Sequence, residues 1–175
     1  MASPDACKIV VVTRVWKLYD PDGTIARTLE RGGSVEEFRD RILEVREVRG
    51  NLFLNEGINF IWLAVTGASG LTPFNAANAR IGVGDGTAPV SPTQTGLQGE
   101  NKYYKGMDSG YPQVVGTSVK FRSTFGPGEA EFAWNEWTVA NGPSDDAVNL
   151  NRRVESLGVK GPNTTMTIEV TLTIT

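Results

Sequence analysis

The last eleven residues alternate without a break. Met166, Ile168, Val170, Leu172 and Ile174 fall on one side, and Thr167, Glu169, Thr171 and Thr173 on the other. Side chains of a strand point to opposite faces in turn, so this segment is a strand with one apolar face, and a slip of one residue would turn that face to water. A strand of that kind needs neighbours. Five further runs read as strands, each bounded by Gly, Pro, Asn or Asp: Ala79 to Val83, Lys102 to Met107, Thr117 to Phe125, Ala130 to Ala140 and Val148 to Leu157. Short strands in such number predict a mainly β fold, an antiparallel β-sandwich or jelly-roll-like domain.

The first half adds mixed elements. Lys8 to Tyr19 is rich in Val, Trp and Tyr and ends at Asp20-Pro21-Asp22-Gly23, which predicts a strand, a turn and a hairpin return over Thr24 to Leu29. Ser34-Val35-Glu36-Glu37 has the capping-box pattern and predicts a helical turn. Leu43 to Arg49 reads as a strand by its β-branched residues. Leu52 to Val65 carries Leu52, Ile58, Ile61, Trp62 and Val65 at helical spacings, and Gly67 stands where a left-handed cap belongs. This is the one substantial α-helix expected. Apolar residues on several of its sides predict burial against a sheet or in a subunit contact. Gly84 to Gly99, with Pro89, Pro92, three threonines and four glycines, reads as a long exposed loop. Residues 1–50 are the more charged part and are expected to be an N-terminal hairpin or extension that docks on a neighbour, leaving 51–175 as the sandwich core.

Composition narrows the chemistry. Cys7 is the only cysteine and histidine is absent, which removes disulfide frameworks, thiolate zinc sites and His-based triads. With a net charge of -3 and a pI near 5.1, nucleic acid is not an expected partner. The longest apolar runs, Ile9 to Val12 and Phe60 to Val65, are too short to span a bilayer, and no export signal opens the sequence. A soluble protein without membrane partners or cofactors is expected.

Several motifs invite chemistry and are better read as structure. Gly82-Val83-Gly84-Asp85-Gly86 lacks the lysine and the following helix of a phosphate loop, so it reads as a glycine-rich turn leaving a strand. Trp134-Asn135-Glu136-Trp137 resembles the Asn-Glu pair of some retaining glycosidases, with Glu129 or Glu131 as a second carboxylate. The chain is too short and too β-rich for the large barrels that carry that chemistry, and a core or interface role for the tryptophans is expected. Asp20, Asp22 and Gly23 open a calcium-loop pattern that Ile25 and Arg31 break. Asp145-Asp146 is a candidate cation site at a loop tip. Tyr103, Tyr104 and Tyr111 beside Lys102 and Lys105 read as packing or subunit contacts ahead of a single-strand stacking platform. The candidate contact residues are therefore Trp16, Tyr19, Trp62, Pro89, Pro92, Tyr103, Tyr104, Tyr111, Trp134 and Trp137, with no catalytic or metal-binding set.

A resemblance adds a functional expectation. The runs Gly50 to Ile58, Asn75 to Gly86 and Thr95 to Gly99 resemble a family of small bacteriophage and prophage virion proteins. So do Met107 to Pro112, Phe121 to Gly126, Phe132 to Trp137 and Leu150 to Arg152. The likeness covers roughly residues 50–175. It implies a non-enzymatic particle component located in the virion, and it carries no catalytic residues. A capsid decoration (cement) protein is the leading expectation, contacting the major capsid protein or other virion proteins as a homo-oligomer such as a trimer around a symmetry axis. The early hairpin and the proline loop are the expected contacts. The alternatives are a tail, fibre or collar component and, from another class, a carbohydrate-binding module carried by Trp134, Glu136, Trp137 and the tyrosines.

Overall fold

The computed structural model describes residues 7–175. Two antiparallel five-stranded sheets form a sandwich-like fold with three short helices. The longer sheet is built on β1 (Ile9–Tyr19) and β10 (Thr164–Ile174), which pair residue for residue over eleven positions. Strands β2 (Ile42–Arg49), β7 (Ser118–Phe125) and β6 (Gln113–Val115) complete it in the order β2-β1-β10-β7-β6. The shorter sheet has the order β3-β9-β8-β4-β5. Its strands are β3 (Leu52–Phe53), β9 (Asn151–Val154), β8 (Glu136–Ala140), β4 (Arg80–Gly84) and β5 (Lys102–Gly106), none longer than five residues.

The alternation of β10 is obeyed. Met166, Ile168, Val170 and Leu172 enter the core between the sheets with Val11, Val15, Phe121 and Phe125, facing Ile81, Val83, Trp137 and Val139. Burying a side chain of that size contributes about 1.5–3 kcal/mol. Trp137 reaches across and donates Nε1–H to Thr13 Oγ1 at 3.1 Å, so its polar atom is satisfied inside the core. Trp134 packs edge-on against Phe125, with ring centroids 4.7 Å apart, and donates to the Ala130 carbonyl at 3.0 Å.

The predicted hairpin return is instead a helix, α1 (Thr24–Glu30). The reason lies in Asp20, buried at 1 % exposure. Its carboxylate accepts the N–H groups of Ile25 (3.2 Å) and Ala26 (2.9 Å), two donors that a helix start leaves free, and the Thr165 hydroxyl at 2.7 Å. Ser34 forms the predicted capping box and starts a 3₁₀ helix, Val35–Arg41. Together α1 and the 3₁₀ helix lay Ile25, Leu29 and Val35 over Leu18, making a second small core on the outer face of the longer sheet.

This placement corrects the domain division at residue 50. Strand β1 lies inside the longer sheet with a partner on each side, so residues 9–49 are part of the sandwich and not an extension; residues 1–6 of the predicted extension lie outside the described residues. Other boundaries shift. Helix α2 is Asn55–Val65, because Leu52 and Phe53 pair with Arg152 and Asn151, and Gly67 takes the predicted positive φ. Strand β8 begins at Glu136, after a turn in which Ala130 has φ 48°. Strand β6 was not predicted. No helix among the described residues is long and apolar enough to cross a membrane.

Candidate functional site

The two sheets differ in strand length, and the difference leaves a gap. Val11, Leu172, Val119 and Val114 stand opposite one another in register, forming one apolar row across β1, β10, β7 and β6. Ile9 and Ile174 form the next position outward. No residue of β4, β5 or β8 lines the space beyond this row. The facing wall comes from Phe60 and Ile61 of α2 with Phe53, Phe74 and Leu150. The result is an open groove of about 430 Å³ whose lining contains no ionisable side chain. Phe74 stands edge-on to Phe60 at 5.0 Å and to Phe121 at 6.5 Å, tying the outer wall to the main core.

Helix α2 covers this end only in part. Gly57 lets it approach closely, since a Cβ there would lie 2.5 Å from the Leu150 carbonyl oxygen. Glu56, its single charged residue, accepts the Asn149 N–H at 2.9 Å, and burial raises its pKa. Within the chain, α2 is buried against the sheets on one side only, and its other apolar sides are exposed. Ile58, Trp62 and Val65, at i, i+4 and i+7, form one exposed ridge, with Trp62 63 % exposed. Val114 of β6, which lines the groove, is 79 % exposed. Contiguous apolar surface of this kind marks contact sites on folded proteins.

The opposite face of the shorter sheet is closed by a polar device. Glu136 and Arg152 are both fully buried and pair at 2.7 Å. The Glu136 carboxylate also accepts the backbone N–H groups of Gly86 (3.2 Å), Gln98 (3.0 Å) and Gly99 (2.7 Å). Arg152 donates to the Ala88 carbonyl at 3.1 Å and to Gln94 Oε1 at 2.9 Å. The segment predicted as a long exposed loop is largely exposed, and it is also strapped to the sheet, with Leu97 buried beneath it. The glycine motif now has a cause: Gly82, Gly84 and Gly86 share one face, where a Cβ would collide with the Tyr104 ring (2.6 Å) or with Glu136 Oε1 (2.6 and 2.4 Å).

Only Trp62 of the predicted contact residues belongs to the apolar face. Trp134 and Trp137 are wholly buried, so they offer no surface, and Glu136 cannot reach a glycosidic oxygen from within an ion pair. The carbohydrate-binding reading loses Trp134, Glu136 and Trp137 for that reason. Tyr103 donates to Glu129 at 3.1 Å, Tyr104 to Asp145, and Tyr111 stacks under the Arg122 guanidinium at 4.6 Å. Burial, with Asp145 beside it, pushes the Tyr104 hydroxyl far up. Trp16 packs on the small outer core under Arg14, and Tyr19, half-exposed, lies under Arg41. Pro89 and Pro92 lie in the strap, where the Pro92 carbonyl accepts the Asn55 N–H at 2.8 Å.

Asp145 is not a free loop-tip ligand, because Lys102 Nζ (2.5 Å) and the Leu97 N–H (3.0 Å) occupy its carboxylate. Among the described residues no group of three or more His, Cys, Asp or Glu is placed to hold a metal. A second buried pair, Arg122 and Asp108 at 2.8 Å, joins the sheet to the outer helices, since Arg122 Nη2 donates to the carbonyls of Leu29 (2.9 Å) and Gly33 (3.0 Å). Burial pushes Asp108 up to about 6, against the hydrogen bonds from Thr124 and Arg122.

Sequence reasoning placed Ile9 and Ile174 in apolar strands without seeing a groove there, and passed over Val114. The signal for β6 was present as a β-branched pair between Pro112 and Gly116, but three residues are too few to show a period. No protein-family model, no curated protein and no solved structure matches this chain.

Proposed function

We propose that this chain is a non-enzymatic structural component of a bacteriophage particle. In this reading it is a capsid decoration protein that stabilises the shell by burying surface against the major capsid protein or other virion proteins. The observation that carries the reading is the apolar face formed by the groove and the α2 ridge: its lining has no ionisable side chain, which suits contact and not catalysis. The family resemblance of the motifs in residues 50–175 supports placement in a virion. The buried ion pairs and the strapped loop support a rigid part, which resists deformation when many weak contacts act at once.

Imaging purified particles with the chain located in the density tests this. Density distributed over the shell is expected. Density confined to the tail or collar replaces the decoration role with a tail role, and turnover of any substrate by the purified chain at a meaningful rate overturns the structural reading altogether.

A further inference from the structure

The interior between the sheets is apolar over most of its extent, and at one edge it is not. Of the five buried side-chain nitrogen and oxygen atoms without a hydrogen-bond partner among the described residues, four belong to three residues in one place. They are Asn51 Oδ1 and Nδ2, Asn151 Nδ2 and Arg153 Nε. Folded proteins leave few such atoms, because a buried polar group that has lost water and gained nothing costs free energy.

Strand register brings the three residues together. Leu52 pairs with Arg152 and Phe53 with Asn151, so Asn51 falls opposite Arg153 one step further along. Residues two apart share a face of a strand, which sets Asn151 beside Arg153 on β9 and Asn51 on the side of Phe53, a residue that lines the groove between the sheets. Arg153 is also level with the core residue Trp137 of β8. The three side chains therefore share one inward strip, where the chain crosses from β2 of the longer sheet to β3 of the shorter. Gly50 makes that crossing with φ 84°, donates its N–H to the Val11 carbonyl at 2.9 Å, and has room for a Cβ only 3.6 Å from Arg153 Nη1.

The donors and acceptors decide what fits. Asn151 Oδ1 accepts the Val139 N–H at 3.0 Å, which fixes the amide and makes its Nδ2 a donor. Arg153 Nε is a donor in every state. Asn51 offers one acceptor and one donor whichever way its amide is turned. Two fixed N–H groups repel a cation. An anion is not required by charge, since the far end of the guanidinium, Nη2, already meets Glu155 at 2.7 Å. A water molecule accepts twice and donates twice, so it takes both fixed donors and gives a proton to Asn51 Oδ1. That makes about three hydrogen bonds, the usual number for an internal water.

We infer that Asn51, Asn151 and Arg153 form a binding site for one internal water molecule, which ties the crossing between the sheets to β9. Through the Val139 N–H, Asn151 carries the same link on to β8. The site lies on the inner face of the shorter sheet and does not depend on the particle reading.

A high-resolution crystal structure of the full chain is the first test. A solvent peak is expected about 2.7–3.2 Å from Asn151 Nδ2, Arg153 Nε and one amide atom of Asn51. A crystal soaked in sodium bromide should show no anomalous signal there. In solution, magnetic relaxation dispersion of water deuterons counts long-lived internal waters, and Asn51→Leu should lose one relative to the native protein, with far-UV circular dichroism checking that the variant folds. A direct hydrogen bond from Asn51 to Arg153 or Asn151, with no solvent between them, overturns the inference. An anomalous bromide peak overturns it as well and gives the site to an anion, and so does an unchanged water count in a folded Asn51→Leu. If that variant does not fold, the native crystal decides alone.

Discussion

The strapped face of the shorter sheet and the grooved end of the longer one solve the same problem in opposite ways. Each is a sheet surface that the partner sheet does not reach. At the strap, Glu136 and Arg152 lie at zero exposure, and between them they bond to Gly86, Ala88, Gln94, Gln98 and Gly99 of the cover. At the groove the cover is α2, held by Phe60, Ile61 and Gly57, and the remaining apolar surface stays open. The difference teaches what each surface tolerates. A buried charge without partners costs several kcal/mol, so a polar patch has to be closed within the chain. An apolar patch loses only the transfer energy of its area while it waits, about 25 cal/mol per Å², and can be left for a contact from outside.

The contrast is broken most directly at Arg152. Arg152→Met leaves the Glu136 carboxylate buried without its cation and should cost about 3–5 kcal/mol in urea denaturation. Adding Glu136→Gln should recover part of that loss, since the orphaned charge is gone while three backbone donors keep an acceptor. Gly86→Ala should cost about 1–3 kcal/mol, because the new methyl would lie 2.4 Å from Glu136 Oε1 and 2.6 Å from the Gly99 nitrogen. An unchanged urea midpoint in either variant would mean that the strap is not held by the buried carboxylate.

Asp108 sharpens the comparison by pH. Its folded pKa of about 6 exceeds the ordinary 3.8, so the folded state binds this proton more tightly than the unfolded chain does. Its contribution is therefore complete below 3.8 and is lost as the pH rises through about 6. Relative to Asp108→Asn, the native protein should lose stability across that window, read from urea midpoints at successive pH values. A constant difference between the two proteins would remove the titration from Asp108. The smallest effect is expected at the open face: Trp62→Ser should change the stability of the monomer by less than about 0.5 kcal/mol. A loss of several kcal/mol there would show that the ridge belongs to the core.

How much of this was legible beforehand depends on the range of the interaction. Periods and local caps read correctly. The alternation from Met166 to Ile174, the strand ending at Tyr19, the Ser34 capping box and the helix closed by Gly67 all depend on residues within one or two turns of each other. Thr24 to Leu29 did not read correctly, because its helical state depends on Asp20, which is itself fixed by Thr165 from the far end of the chain. The strap escaped for the same reason. Nothing between Gly84 and Gly99 announces that Glu136, 37 to 50 residues away, will collect three of its N–H groups.

Of the apolar face, the helix with Ile58, Ile61, Trp62 and Val65 was anticipated as a packing or contact element, but the groove beside it was not. Residue order alone determined a mainly β chain with apolar strand faces, one real helix and no inventory for thiol or imidazole chemistry, since these follow from composition and short periods. The tertiary structure alone decided which apolar residues were left over. That outcome follows from the mismatch between strands of eleven residues and strands of five or fewer, a property of how the two sheets meet and not of either one.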